Sequence, residues 1–127
     1  MNTKLRAAVV VLAVCGGILA ADIARAATRA ETTVTIETQN GDFWGTVDSP
    51  RPRRCANDRK IILFKQVGAE QDPSVDTKVG SDNASLNGDA YEWSTGNTGM
   101  FGKFYARAPR TLYCKADSSP TVRSVRP

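Results

Sequence analysis

From Ala27 onward the apolar positions recur at every second residue in short runs, and never keep helical spacing for more than about two turns. A period of two predicts strands, because successive side chains of a strand point to opposite faces. Seven runs carry this pattern, at residues 33–37, 43–48, 60–66, 77–81, 90–95, 103–108 and 121–125. Between them lie clusters of turn formers at 39–42, 49–52, 71–73, 86–89 and 96–99, two of which contain an Asn-Gly pair of the kind that closes a hairpin. Seven short strands with no helical segments between them predict an all-β fold, a seven-stranded antiparallel β-sandwich.

The alternation also names the core. Val34 and Ile36 share one face of the first strand, and Tyr91 and Trp93 share one face of the fifth. In the sixth, Phe104 and Ala106 point inward, which sends Tyr105 outward. Residues 61–64 are apolar on both faces, the signature of a central strand or of one covered by a loop. Phe43 and Trp44 are neighbours, so one faces the core and one faces out, and alternation alone does not choose between them.

The first 26 residues have a different character. Lys4 and Arg6 precede an apolar run at 7–21, and Ala24-Arg25-Ala26 follows as an A-x-A cleavage signature. The run is too short and small-sided to span a bilayer stably, so residues 1–26 are expected to be a cleaved signal peptide and 27–127 a single domain. Leu12 fits a lipobox ending at Cys15, but Val14 does not and the apolar run continues past the cysteine. The expected product is therefore soluble, without stable membrane insertion, and secreted or periplasmic.

Export changes the meaning of the cysteines. Cys55 and Cys114 remain after cleavage, and an even pair in an oxidising compartment predicts a disulfide. Such a bond would close a loop of about sixty residues and stabilise the fold by about 4 kcal/mol on the chain-entropy estimate. A metal-binding or reactive pair would need further ligands or a C-x-x-C spacing, and the sequence has neither that spacing nor any histidine.

Charge and residue types narrow the chemistry further. The formal net charge is +4, and removing Lys4, Arg6, Arg25 and Asp22 with the leader leaves +2, too mild to predict a nucleic-acid partner. The lack of histidine removes the commonest general base and metal ligand together. The carboxylate pairs Asp72 with Asp76 and Asp82 with Asp89 sit at turn-forming positions. Asp82, Asn83, Asn87 and Asp89 supply oxygen ligands that a calcium ion could use, without EF-hand spacing. No metal or cofactor is expected. Two binding features remain: the basic stretch Arg51, Arg53, Arg54, Arg59 and Lys60, suited either to an anionic surface or to a solvated loop, and the aromatics Trp44, Tyr105 and Tyr113, suited to a sugar or protein platform if they face outward.

The order of features from Arg54 to Val125 resembles the prealbumin-like, or transthyretin-like, β-sandwich domains, which include carboxypeptidase-regulatory-like modules of exported bacterial proteins. The resemblance rests on Lys60-Ile61-Ile62-Leu63-Phe64-Lys65 as the core strand, Val79-Gly80-Ser81-Asp82, Asn87-Gly88-Asp89-Ala90-Tyr91-Glu92-Trp93 as the hairpin, and Gly102-Lys103-Phe104-Tyr105-Ala106 as a later strand. Cysteines placed like Cys55 and Cys114, before the core strand and after the last aromatic strand, accompany that arrangement. The resemblance implies a binding or scaffold module; the hydrolases of the group depend on histidines that this chain lacks. The expectation is thus a prealbumin-like or immunoglobulin-like sandwich with one disulfide, a non-catalytic structural or surface-binding role, and an extracytoplasmic protein or envelope polymer as partner. The alternative is a small secreted hydrolase or inhibitor acting through loop residues.

Overall fold

The computed structural model describes residues 28–127; the expected leader, its cleavage site and Cys15 lie outside them. Ten strands and one short helix follow in order: β1 Thr33–Val34, β2 Glu37–Gln39, β3 Asp42–Asp48, α1 Pro52–Cys55, β4 Lys60–Lys65, β5 Thr77–Asn83, β6 Ser85–Asn87, β7 Ala90–Asn97, β8 Gly102–Ala108, β9 Asp117–Ser118 and β10 Val122–Ser124. Every strand pairing is antiparallel. One sheet runs β1-β3-β7-β6 with β2 also on β3, and the other runs β10-β8-β4-β5 with β9 also on β8. The fold is a β-sandwich. If β1 with β2, and β9 with β10, are each counted as one interrupted strand, the order in each sheet follows the Greek key of immunoglobulin-type sandwiches.

The strand faces explain why the sheets pack. Val34, Phe43, Val47 and Trp93 from the first sheet meet Ile61, Leu63, Phe104, Ala106 and Ala108 from the second in one apolar core. Burying each of the larger side chains stabilises the fold by about 2 kcal/mol. The rings of Phe43 and Phe104 lie 4.6 Å apart between centroids and join the sheets near the middle of the core. Phe43 is therefore the inward member of its pair, and Trp44 faces out.

Three departures from simple alternation have local causes. The first expected strand is broken at Thr35 and Ile36, because the backbone there passes directly over Gly45. A β-carbon on Gly45 would lie 2.0 Å from the Thr35 carbonyl oxygen, so only glycine admits this crossing. The displaced carbonyl is not wasted: it accepts a hydrogen bond from the indole Nε1 of the buried Trp93 at 3.1 Å. At the next corner the expected turn at 49–52 continues into α1, with Pro52 in the first turn, where its missing N–H leaves no bond unmade. Later, β5 passes to β6 through Ala84 alone, carrying the chain from one sheet to the other.

Tyr105 corrects a sequence expectation. It alternates with the core residues Phe104 and Ala106, so it does point away from the core, yet it is fully buried. Its ring stacks on Phe64 at 5.2 Å, on the outer face of the second sheet, and the segment from Gln66 to Asp76 folds over both. The apolar character of both faces of β4 reflects this loop. Gln71 ties the cover down by donating to the Ser119 carbonyl at 2.8 Å and to the Thr121 hydroxyl at 2.9 Å.

Candidate functional site

The residues singled out in the sequence fall into three places. Cys55 and Cys114 form a disulfide with Cα atoms 5.6 Å apart, both buried, joining α1 to the segment that follows β8. Arg51, Arg53, Arg54 and Lys60 are exposed. Arg54 lies over the Tyr113 ring at 4.4 Å, a cation–π contact across the disulfide.

Arg59 leaves that group, because it is only 4% exposed. Its guanidinium donates to the Thr32 hydroxyl (3.2 Å) and to the carbonyls of Cys55 (3.0 Å), Pro109 (2.8 Å) and Lys115 (2.9 Å). Burial lowers its pKa from the ordinary arginine value. Among the described residues no carboxylate pairs with it, and Nε makes no hydrogen bond. Arg59 is a structural fork whose charge is balanced by oxygen dipoles alone. It lies four residues after the buried Cys55, past the end of α1, and nothing in the charge pattern separates it from its exposed neighbours.

The expected outward aromatics also separate. Tyr105 is enclosed, Tyr113 is half exposed beside Arg54, and Trp44 stands on the outer face of the first sheet. There β2 pairs with β3 so that Glu37 lies directly opposite Trp44, and Trp44 Nε1 donates to Glu37 Oε2 at 2.7 Å. Next to them Thr35 and Thr46 share a hydroxyl bond of 2.8 Å. Across β7, Asn87 donates to Glu92 Oε2 at 2.9 Å, and the backbone N–H of Ser94 donates to Asp82 Oδ2 at 2.8 Å.

These groups line an open groove of about 1010 Å³, whose charged side chains are Glu37, Asp82 and Glu92. Each carboxylate is held by one oxygen, and the second oxygen of each makes no hydrogen bond among the described residues. The groove thus offers an oriented indole, fixed acceptors and hydroxyls. Neither a family model nor a curated protein matches this chain.

Titration behaviour points elsewhere. Asp76 accepts from Tyr105 Oη at 2.5 Å, from the Val67 N–H at 2.9 Å and from the Asp72 N–H at 2.7 Å. The Tyr105 hydroxyl first, and the two N–H groups with it, hold the Asp76 carboxyl below the usual carboxylate range. Burial, and then the bond to Asp76, push the Tyr105 hydroxyl well above its ordinary value. Every one of these donors is internal, so this pair fastens the loop over the second sheet. Asp82, Asn83 and Asn87 likewise turn to separate partners, Ser94, Asp58 and Glu92. The described residues contain no group of three or more Cys, Asp or Glu side chains placed to hold a metal ion. No helix among them is long and apolar enough to cross a membrane.

Proposed function

We propose that this chain is exported, loses its first 26 residues, and serves as a non-catalytic module that binds an extracytoplasmic partner in the groove of the first sheet. The observation that carries the reading is the Trp44 indole, held on the outer face by its 2.7 Å bond to Glu37 and flanked by anchored acceptors. Flat aromatic rings stack on the C–H faces of sugars, and fixed carboxylates and amides accept from their hydroxyls. A hydroxyl-rich envelope polymer matches those groups. The non-catalytic role is supported by the internal engagement of Asp76, Tyr105 and Arg59, whose titration the fold shifts.

Titration with envelope glycans, followed by tryptophan fluorescence, tests it. Trp44 stands on the outer face, whereas Trp93 is buried behind the same groove, so comparison with Trp44→Phe separates the Trp44 share of the emission. A ligand in the groove changes that share, which Trp44→Phe removes. Unchanged emission and no binding by calorimetry across neutral and acidic glycans would retire the reading.

A further inference from the structure

The balance of fourteen basic against twelve acidic residues in 28–127 hides how unevenly they lie. The disulfide and the Arg59 fork draw three distant segments to one corner: 28–32, 51–55 and 109–115. Further bonds fix the arrangement, with Ala30 bridging to Cys114, Arg29 Nε donating to the Thr111 carbonyl at 3.3 Å and Arg54 stacked on Tyr113. Arg29, Arg51, Arg53, Arg54, Arg110 and Lys115 lie on these segments, whose one acid, Glu31, is ion-paired with Lys115, while Asp117 just beyond them accepts from the Val34 N–H. Arg59 adds a seventh positive charge beneath them. The rest of the domain holds seven basic and eleven acidic residues, so the net positive charge is concentrated in these three segments.

Two further features belong to the same corner. Leu112 and Tyr113 project between the cations, 56% and 48% exposed. Residues 1–27, with the apolar run 7–21, also join the domain here, at Thr28.

We propose that this corner seats the domain on a membrane surface carrying anionic phospholipid headgroups. Arg51, Arg53, Arg54 and Arg110 face the phosphates, to which guanidinium groups donate in pairs, and Leu112 and Tyr113 enter the headgroup layer. Either contribution alone gives weak, reversible attachment, and the two together give a defined one. The field that attracts the corner repels Glu37, Asp82 and Glu92, so docking has a preferred orientation with the acidic groove turned from the lipid.

The test uses protein recovered after export, its first residue read by mass spectrometry, and sedimentation with vesicles of phosphatidylcholine alone or mixed with phosphatidylglycerol. Binding is expected on the mixed vesicles only, and to fall as salt is raised. The triple change Arg51→Ser, Arg53→Ser, Arg54→Ser is expected to lower the partition by roughly a hundredfold, given the contribution of each cation near an anionic surface. Arg110→Ser, outside α1, gives an independent check with a smaller loss, and Leu112→Ser weakens vesicle binding without changing retention on a soluble polyanion. Equal partition into both vesicle types, an unaltered partition in the triple variant, or retention on a polyanion column without vesicle binding would overturn the proposal. None of these results bears on the groove, whose ligand is read separately through Trp44.

Discussion

Tyr105 donates its phenolic hydroxyl to Asp76 across 29 residues of sequence, at 2.5 Å, and both groups are buried beneath the loop that covers β4 and β8. The two protonation states are linked to folding with opposite signs. Asp76 has a lowered pKa in the fold, so its contribution is complete above about pH 4, the unfolded value, and is lost as pH falls through the folded one. Tyr105 has a raised pKa, so its contribution is complete below about pH 10 and is lost as pH climbs from there toward the folded value. Urea midpoints measured from acid to alkaline pH are expected to fall at both ends. Tyr105→Phe should lower Tm at neutral pH by roughly 5–10 °C and flatten the alkaline fall, because the unfolded chain no longer gains by ionising this phenol.

Gly45 is expected to tolerate no side chain. Alanine there places a methyl group against the Thr35 carbonyl, which then swings away from the Trp93 indole and leaves a buried N–H without a partner. Gly45→Ala should destabilise by about 3 kcal/mol or more. Near-ultraviolet circular dichroism should show the loss of Trp93 immobilisation.

The disulfide closes a loop of 59 residues in sequence separation, so its removal acts chiefly by freeing the unfolded chain. Replacing both cysteines by alanine should cost about 4 kcal/mol on that estimate. It should also loosen the stack of Arg54 on Tyr113, which a rise in tyrosine accessibility to quenchers would report. Stability unchanged by reduction would contradict a structural role for the bond.

Arg59→Met keeps the bulk of the side chain and removes the donors, leaving the carbonyls of Cys55, Pro109 and Lys115 without this partner. A loss of about 3 kcal/mol is expected in urea unfolding. Arg59→Lys should recover only part of it, because one ammonium cannot span the fork. Equal stability of all three forms would show that the buried charge is neutral to folding.

The sequence made the strong strands legible and the weak ones invisible, for physical reasons. β3 alternates cleanly because one face meets the core, and β4, β7 and β8 carry the long apolar or aromatic residues that fill it, so the sandwich is legible from them. β6 and β9 are three and two residues long, and their sequences SLN and DS carry no periodic signal. Tyr105 read as exposed because its cover arrives from residues 66–76, a relationship that alternation within one strand does not contain. Arg59 read like the arginines around it, since charge pattern says nothing of the three carbonyls that converge on it. Of the groove, the sequence named Trp44 as a platform aromatic and Asp82 and Asn87 as oxygen ligands, without relating them. The pairing of Trp44 with Glu37 emerged only from strand register, and the place of Asp82 and Glu92 beside them only from the way β5, β6 and β7 meet.

The bond from the Ser94 N–H to Asp82 has one more effect. β6 ends its pairing at Glu92, so the remaining length of β7 would otherwise present open ladder positions at the rim. The Asp82 carboxylate occupies the first of them. A strand from a neighbouring molecule seeking that stretch of β7 would have to evict a charged side chain, which discourages lateral growth of the sheet at this place where copies are concentrated together.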